Sequence, residues 1–284
     1  MSLRATMTAE ITCQPISPKL GAVISGVVTK SPLSPEQVSQ LKTYLLKYKV
    51  LFFREQYLSY EEQETFASFF GELRFDPLEN CIDAHPGLAL VDNVPFFHAD
   101  WMHQENPPLF SMLQMNTVPE VGGDTMFADL VTSYQDLSGT LQQFLQTLTV
   151  TQCHPKYEGD GSALARSYLN ERNVDFDFLF DYIQPRSQPL VRYISETGES
   201  NYWLSRAYSR RINELTSDES EMLLHFLFRH QIEPQYVIRW RWHEGDIAFW
   251  DHRTTIHSGV KDYGEFPRQG CRASISGGRL VPTI

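Results

Sequence analysis

Short apolar runs, cut off by glycine, proline and asparagine, recur along the chain and limit its fold more than any other feature. Each is about four to eight residues long, the length of a strand and too short for a stable helix. They stand at residues 11–15, 21–28, 50–53, 109–116, 121–127, 190–193, 202–204, 236–242, 246–250 and 271–276. A few stretches read as helices instead. Ser34 caps one, with Pro35 at its first position and Gln37 closing a capping box, and Val38, Leu41, Leu45 and Tyr48 follow at helical spacing. Ser59 and Glu62 form a second box before Phe66, Phe69 and Phe70, with Gly71 as the stop. Residues 138–148 and 217–228 complete the helical set. Residues 72–93 read as an irregular loop, and 155–187 as a lid or insertion. Many short strands with few helices predict a mainly β fold with flanking helices, a sandwich or barrel, in one domain over residues 1–284. Residues 1–7 are expected to be a short tag, with Met7 as the native start.

Charge narrows the functions open to such a fold. The chain has 284 residues and a net charge of −11, from 24 basic and 35 acidic side chains. A nucleic-acid scaffold would carry a basic stripe, and a protein docked on anionic lipid a basic face. Neither is visible, so no nucleic-acid or membrane partner is expected. A small anionic substrate remains open, because a few local arginines decide its binding. The four cysteines, Cys13, Cys81, Cys153 and Cys271, show no CxxC and no regular spacing, which suits a reducing cytoplasm. No apolar run reaches the length of a membrane span, and no signal peptide is recognisable.

The chemistry-bearing residues sit at two remote places. His98 and Asp100 are two apart, so an extended backbone turns both to one face. His257, far downstream after Trp250-Asp251, offers a third ligand. Two histidines and one carboxylate, with the opposite face open, suit non-haem Fe(II). Alone, His-x-Asp is a common accident, and a lone histidine is more often a core or surface residue. Only a closed β architecture that joins early and late strands would unite the three. Arg268 and Arg272, four apart, read either as surface ion pairs or as a clamp for carboxylates. Thr125, after the turn at Gly122-Gly123-Asp124, is able to give its hydroxyl to the same anion. His103 is a pocket or surface residue, and His225 and His230 are expected to be structural. In Arg239-Trp240-Arg241-Trp242 the arginines share one strand face and the tryptophans the other, a solvated face over a core face.

Taken in order, these motifs resemble the TauD/TfdA family of Fe(II)- and 2-oxoglutarate-dependent dioxygenases. The likeness runs from Val50-Leu-Phe-Phe-Arg-Glu-Gln56 through Phe69-Phe-Gly-Glu-Leu73, His98-Ala-Asp100, Gly122-Gly-Asp-Thr125 and Trp250-Asp251 to Arg272-Ala-Ser-Ile-Ser-Gly277. It implies a double-stranded β-helix (jelly-roll) core. It implies Fe(II) on His98, Asp100 and His257, 2-oxoglutarate on Thr125 and Arg268, and O2 as oxidant. Arg272 matches a residue that contacts either an acidic substrate or the inner end of 2-oxoglutarate. The carboxylate of Asp100 disfavours the related halogenases. Asp76 falls where a taurine-binding member has histidine, and would repel a sulfonate. Val94 falls near the place of an asparagine, and Tyr208 near that of a pocket aromatic. With Phe97 and His103 these are the expected substrate contacts. The substrate is expected to be a small organic acid other than taurine, amino-acid-derived or isonitrile-bearing, and a dimer or tetramer is expected. A zinc hydrolase on the same three ligands and a non-catalytic jelly-roll binding protein are the rival readings.

Overall fold

We analysed a computed structural model of the protein, which describes residues 10–76, 78–91, 93–171 and 175–277. The expected tag at residues 1–7 lies outside the described residues.

The strand Val50–Phe53 shows how the sequence builds the core. All four residues are buried, and successive side chains point to opposite faces. Val50 and Phe52 face inward with Leu113, Phe127, Trp240, Ala248 and Trp250. Leu51 and Phe53 face outward with Leu41, Leu45, Phe66 and Phe70. A strand covered on both sides reads as an unbroken apolar run. It belongs to an eight-stranded sheet in the order Thr12–Pro15, Ala22–Ser25, Val50–Phe53, Ile247–Asp251, Phe110–Thr117, Gln269–Ile275, His85–Val91 and Cys81–Ile82. The capped helices Pro35–Tyr48 and Tyr60–Ser68 cover its outer face, and both capping boxes form as expected.

The inner face meets a smaller sheet, ordered Val237–Trp240, Thr125–Asp129 and Thr255–Gly259. Phe52 stacks on Trp240 at 3.9 Å, and Phe127 meets Phe52 and Trp250 edge-on at 5.7 Å each. Burying each such ring stabilises the fold by roughly 1.5–3 kcal/mol. These two facing sheets are the expected jelly-roll. It is open, with no closed barrel, and late strands are paired between early ones. Ile247–Asp251 lies between Val50–Phe53 and Phe110–Thr117, with Trp250 opposite both Val50 and Ser111.

Residues 130–150 and 190–228 pack on the outside of the small sheet, where Leu130, Tyr134, Trp203 and Leu227 cover Ala128 and Ile256. Residues 155–187 form a separate cap, with helices Ser162–Glu171 and Phe176–Ile183 joined through Ala165, Leu179 and Ile183 to Trp101 and Leu78.

The reading of residues 72–93 as a loop holds for 74–76 and 78–80 and needs correction beyond them. Cys81–Ile82 and His85–Val91 are strands that close the large sheet, with Leu88–Val91 paired to Gly270–Ala273. Pro86 is tolerated because it precedes that ladder at the sheet's margin. None of the four cysteines is in a disulfide. Among the described residues no helix is long and apolar enough to cross a membrane.

Candidate metal and co-substrate site

Backbone hydrogen bonds bring the remote motifs together. His98 and His257 face each other across an antiparallel bridge, His98 N donating to His257 O at 2.9 Å and His257 N to His98 O at 2.7 Å. Their rings lie 4.4 Å apart. The chain does not stay extended through the motif. It turns directly after Asp100, where Trp101 takes a φ of +52°. That left-handed conformation costs a non-glycine residue about 1–2 kcal/mol. The turn leaves Asp100 Oδ1 3.4 Å from His98 Nε2 and 3.9 Å from His257 Nε2. Ligand atoms of all three residues lie within 4.8 Å of one another.

The donor set fits a divalent metal. His98 Nδ1 donates to the Phe96 carbonyl at 2.8 Å, so its Nε2 lone pair is the one presented to the cluster. Burial, reinforced by His98, holds the His257 imidazole well below its usual pKa and therefore neutral. Burial works against the charge of Asp100, yet Arg272 and then His252 hold its carboxyl well below the usual range. Arg272 Nη1 donates to Asp100 Oδ2 at 2.8 Å, which leaves Oδ1 for the histidine side. Two imidazoles and one carboxylate oxygen, with no thiolate, suit Fe(II).

A cavity of about 540 Å³ opens on this cluster, and His98, Asp100, Thr125, His257, Arg268 and Arg272 all line it. Arg268 and Arg272 do not act as a pair. A register shift at Gln269/Gly270 separates them, and Arg268 lies just before the strand. Arg268 donates from Nε to Gly123 O at 2.9 Å and from Nη2 to Thr125 Oγ1 at 3.4 Å. No carboxylate lies within ion-pair distance of it among the described residues. Thr125 Oγ1 also accepts from Trp242 Nε1 at 2.9 Å, so its own hydroxyl proton is free for a ligand. Gly123, at φ +73°, allows the close approach: a Cβ there would meet Pro119 Cγ at 2.6 Å. A half-buried guanidinium beside a hydroxyl suits a carboxylate.

The remaining predicted contacts divide. Val94 and Tyr208 line the cavity. Asn93 lines it too, beside the Val94 position read as lacking an asparagine, and its Nδ2 donates to Val260 O at 3.0 Å. Phe97 points the other way, into the cluster outside the small sheet, and Phe96 lines the cavity instead. Strand parity with His98 is the signal that selects Phe96. His103 lies behind Tyr208, stacked on it at 5.6 Å, and burial lowers its pKa to about 3. Asp76 does not line the cavity, so the expected repulsion of a sulfonate by its carboxylate falls away. Its oxygens are taken by Tyr182 and by Leu78 N, with Arg74 at 3.6 Å, and burial together with Glu79 pushes its carboxyl up to about 6.

Several residues here escaped the sequence reading. His252 is fully buried, with Nε2 2.7 Å from Ser111 Oγ and 3.4 Å from Asp100 Oδ2, and burial lowers its pKa to about 4. Glu79 accepts from Arg272 Nη2 and, at 2.8 Å, from Trp101 Nε1. His154, Lys156 and Tyr168 reach the cavity from the cap. Nothing in the local pattern marks them.

A jelly-roll that gathers two histidines, a carboxylate and an arginine–threonine pair suited to a carboxylate into one cavity is the architecture of an Fe(II)- and 2-oxoglutarate-dependent dioxygenase. Residues 12–274 match the family model described as taurine catabolism dioxygenase TauD, TfdA family, and the chain belongs to that family. It is 30% identical to an alkylsulfatase of Acinetobacter baylyi, over 95% of this chain and 86% of the relative. It is also 30% identical to an alpha-ketoglutarate-dependent sulfate ester dioxygenase of Pseudomonas putida, over 98% of this chain and 94% of the relative. The crystal structure of a taurine dioxygenase from Burkholderia xenovorans superposes with a TM-score of 0.82 at 30% identity, covering 96% of this chain and 91% of that one. The protein is thus an oxidoreductase that uses Fe(II), 2-oxoglutarate and O2.

Proposed function

We propose that the enzyme oxidises a C–H bond of a small organic acid other than taurine, with His98, Asp100 and His257 holding the iron. The observation that carries this reading is the Arg268–Thr125 clamp in the same cavity as the triad. A zinc hydrolase on those three ligands leaves that clamp without a task, and a binding protein leaves the triad without one.

Bound Fe(II) and 2-oxoglutarate supply the oxidising power, with succinate and CO2 as co-products. The chain's own residues bind, orient and shield. Arg268 would hold the distal carboxylate of 2-oxoglutarate, with the Thr125 hydroxyl as a further donor. Arg272 keeps Asp100 ionised and turned, and His252 supports the same oxygen from a fully buried position. The substrate's body lies against Leu78, Leu90, Phe96, Trp101 and Tyr208, an apolar wall far larger than taurine requires. Aromatic and amino-acid-derived acids match it, isonitrile-bearing ones among them. The relatives named for sulfate esters share the class, and the apolar wall suits the alkyl or aryl body of either kind of acid.

The test is anaerobic visible spectroscopy on metal-free protein given Fe(II) and then 2-oxoglutarate. A charge-transfer band that His98→Ala abolishes is the expected result, followed by succinate release in a screen of small acids. Folded, iron-loaded protein that forms no band would refute the proposal.

A further inference from the structure

Arg272 is already spoken for. One terminal nitrogen donates to Asp100, the other to Glu79, and its Nε is buried without a hydrogen-bond partner among the described residues. Two carboxylates therefore share one guanidinium. An anion entering the cavity to reach Arg272 would have to displace Glu79, which Trp101 Nε1 also holds, or lie beside a like charge. Separating a buried pair is costly because the group left behind loses its partner. Glu79 itself lines the cavity, is only 12% exposed at its side chain, and makes its described hydrogen bonds through Oε1 alone. Its second oxygen is an acceptor with no described donor. At the cap side of the same cavity Lys156 is exposed and lies within ion-pair distance of no carboxylate among the described residues.

We propose that Glu79 determines specificity: it withholds Arg272 from anionic head groups and accepts a hydrogen bond from a donor-bearing end of the substrate, whose carboxylate pairs with Lys156. This rests on the oxygenase reading above and adds the polarity of the substrate's two ends. The substrate is thus an acid that carries a hydroxyl or ammonium group as well as its carboxylate, and a sulfonate or sulfate in place of that donor is rejected.

Three matched acids test it: 3-phenylpropionate, its 4-hydroxy form and its 4-sulfo form. The parent enzyme and Glu79→Gln are loaded anaerobically with Fe(II) and 2-oxoglutarate, the charge-transfer band is recorded, and calorimetry gives a Kd for each acid. In the parent the hydroxy acid is expected to bind about fivefold more tightly than the unsubstituted one. The sulfo acid is expected to bind about tenfold more weakly, or worse. Glu79→Gln brings both ratios toward one, and Lys156→Met weakens all three acids by a common factor. If Glu79→Gln does not fold, the ranking in the parent decides. A parent without the band overturns the oxygenase reading and this inference with it. A parent with the band that binds the sulfo acid as well as the hydroxy acid, or binds neither, overturns the role of Glu79 alone. So does a folded Glu79→Gln enzyme with an unchanged ranking.

Discussion

The two ends of the cavity are held in place by different forces. At the metal end, His98 and His257 are fixed by main-chain hydrogen bonds, and Arg272 by a ladder that pairs it with Leu113 and Ala89. At the cap end, helices Ser162–Glu171 and Phe176–Ile183 are anchored by side chains. Tyr182 bridges Arg74 and Asp76, its carbonyl accepts from Gln104, and Tyr157 donates to Gln184 at 3.0 Å. Main-chain hydrogen bonds tolerate most changes of side chain, and side-chain contacts do not. The chemistry is therefore set by backbone register, and the shape of the substrate chamber by individual residues that a single substitution can retune.

This contrast can be broken most sharply at Asp100. Asp100→Ala should abolish the charge-transfer band and reduce turnover by at least about a hundredfold, with the fold intact by circular dichroism. A variant that still bound iron and turned over would show the triad to be dispensable. Next in size, Arg268→Met should raise the KM for 2-oxoglutarate by roughly tenfold to a hundredfold while iron content is unchanged, because one charged grip is lost. An unchanged KM would move the co-substrate elsewhere.

At the cap end the effects should be smaller and of another kind. Tyr182→Phe removes the bridge between Arg74 and Asp76 and should lower stability by about 1 kcal/mol. Substrate KM should rise a few-fold with the 2-oxoglutarate band intact. Equal loss of both functions would mean that the two ends are one unit. The smallest signal comes from pH. The folded chain holds the Asp76 proton more tightly than the unfolded one, so its contribution to stability is full below the ordinary value of 3.8 and is lost as pH rises through about 6. Denaturant unfolding of the parent should show that decline, and Asp76→Asn should flatten it. A slope unchanged by the substitution would assign the titration to another group.

The metal end was largely legible in the sequence and the cap end was not. The spacing of His98 and Asp100, the order of His257, Arg268 and Arg272, and the capping boxes at Ser34 and Ser59 are local signals, and each survives in the fold. Phe97 was misjudged because strand parity places Phe96, not Phe97, with His98. Asp76 was misplaced because its own oxygens turn to Tyr182 and to Leu78 N, while Leu78, Glu79 and Asn80 of the same loop line the cavity. Glu79 and His252 were invisible for a physical reason: their partners, Arg272 and Asp100, are distant in the chain, and tertiary packing alone assigns the pairs. The left-handed turn at Trp101 was equally hidden, because it is imposed by what surrounds it and runs against the residue's own preference.

The bridge between His98 and His257 also bears on how the protein is made. A ribosome delivers the first histidine and the carboxylate long before the second histidine, and Ile247–Asp251 must slot between strands that have already emerged. Until then the nascent chain presents only two of the three proposed iron ligands. On the proposed ligand set, acquisition of a redox-active metal is thus coupled to the emergence of His257, and a product cut before it lacks the full centre at which oxygen could be activated without a substrate to receive it.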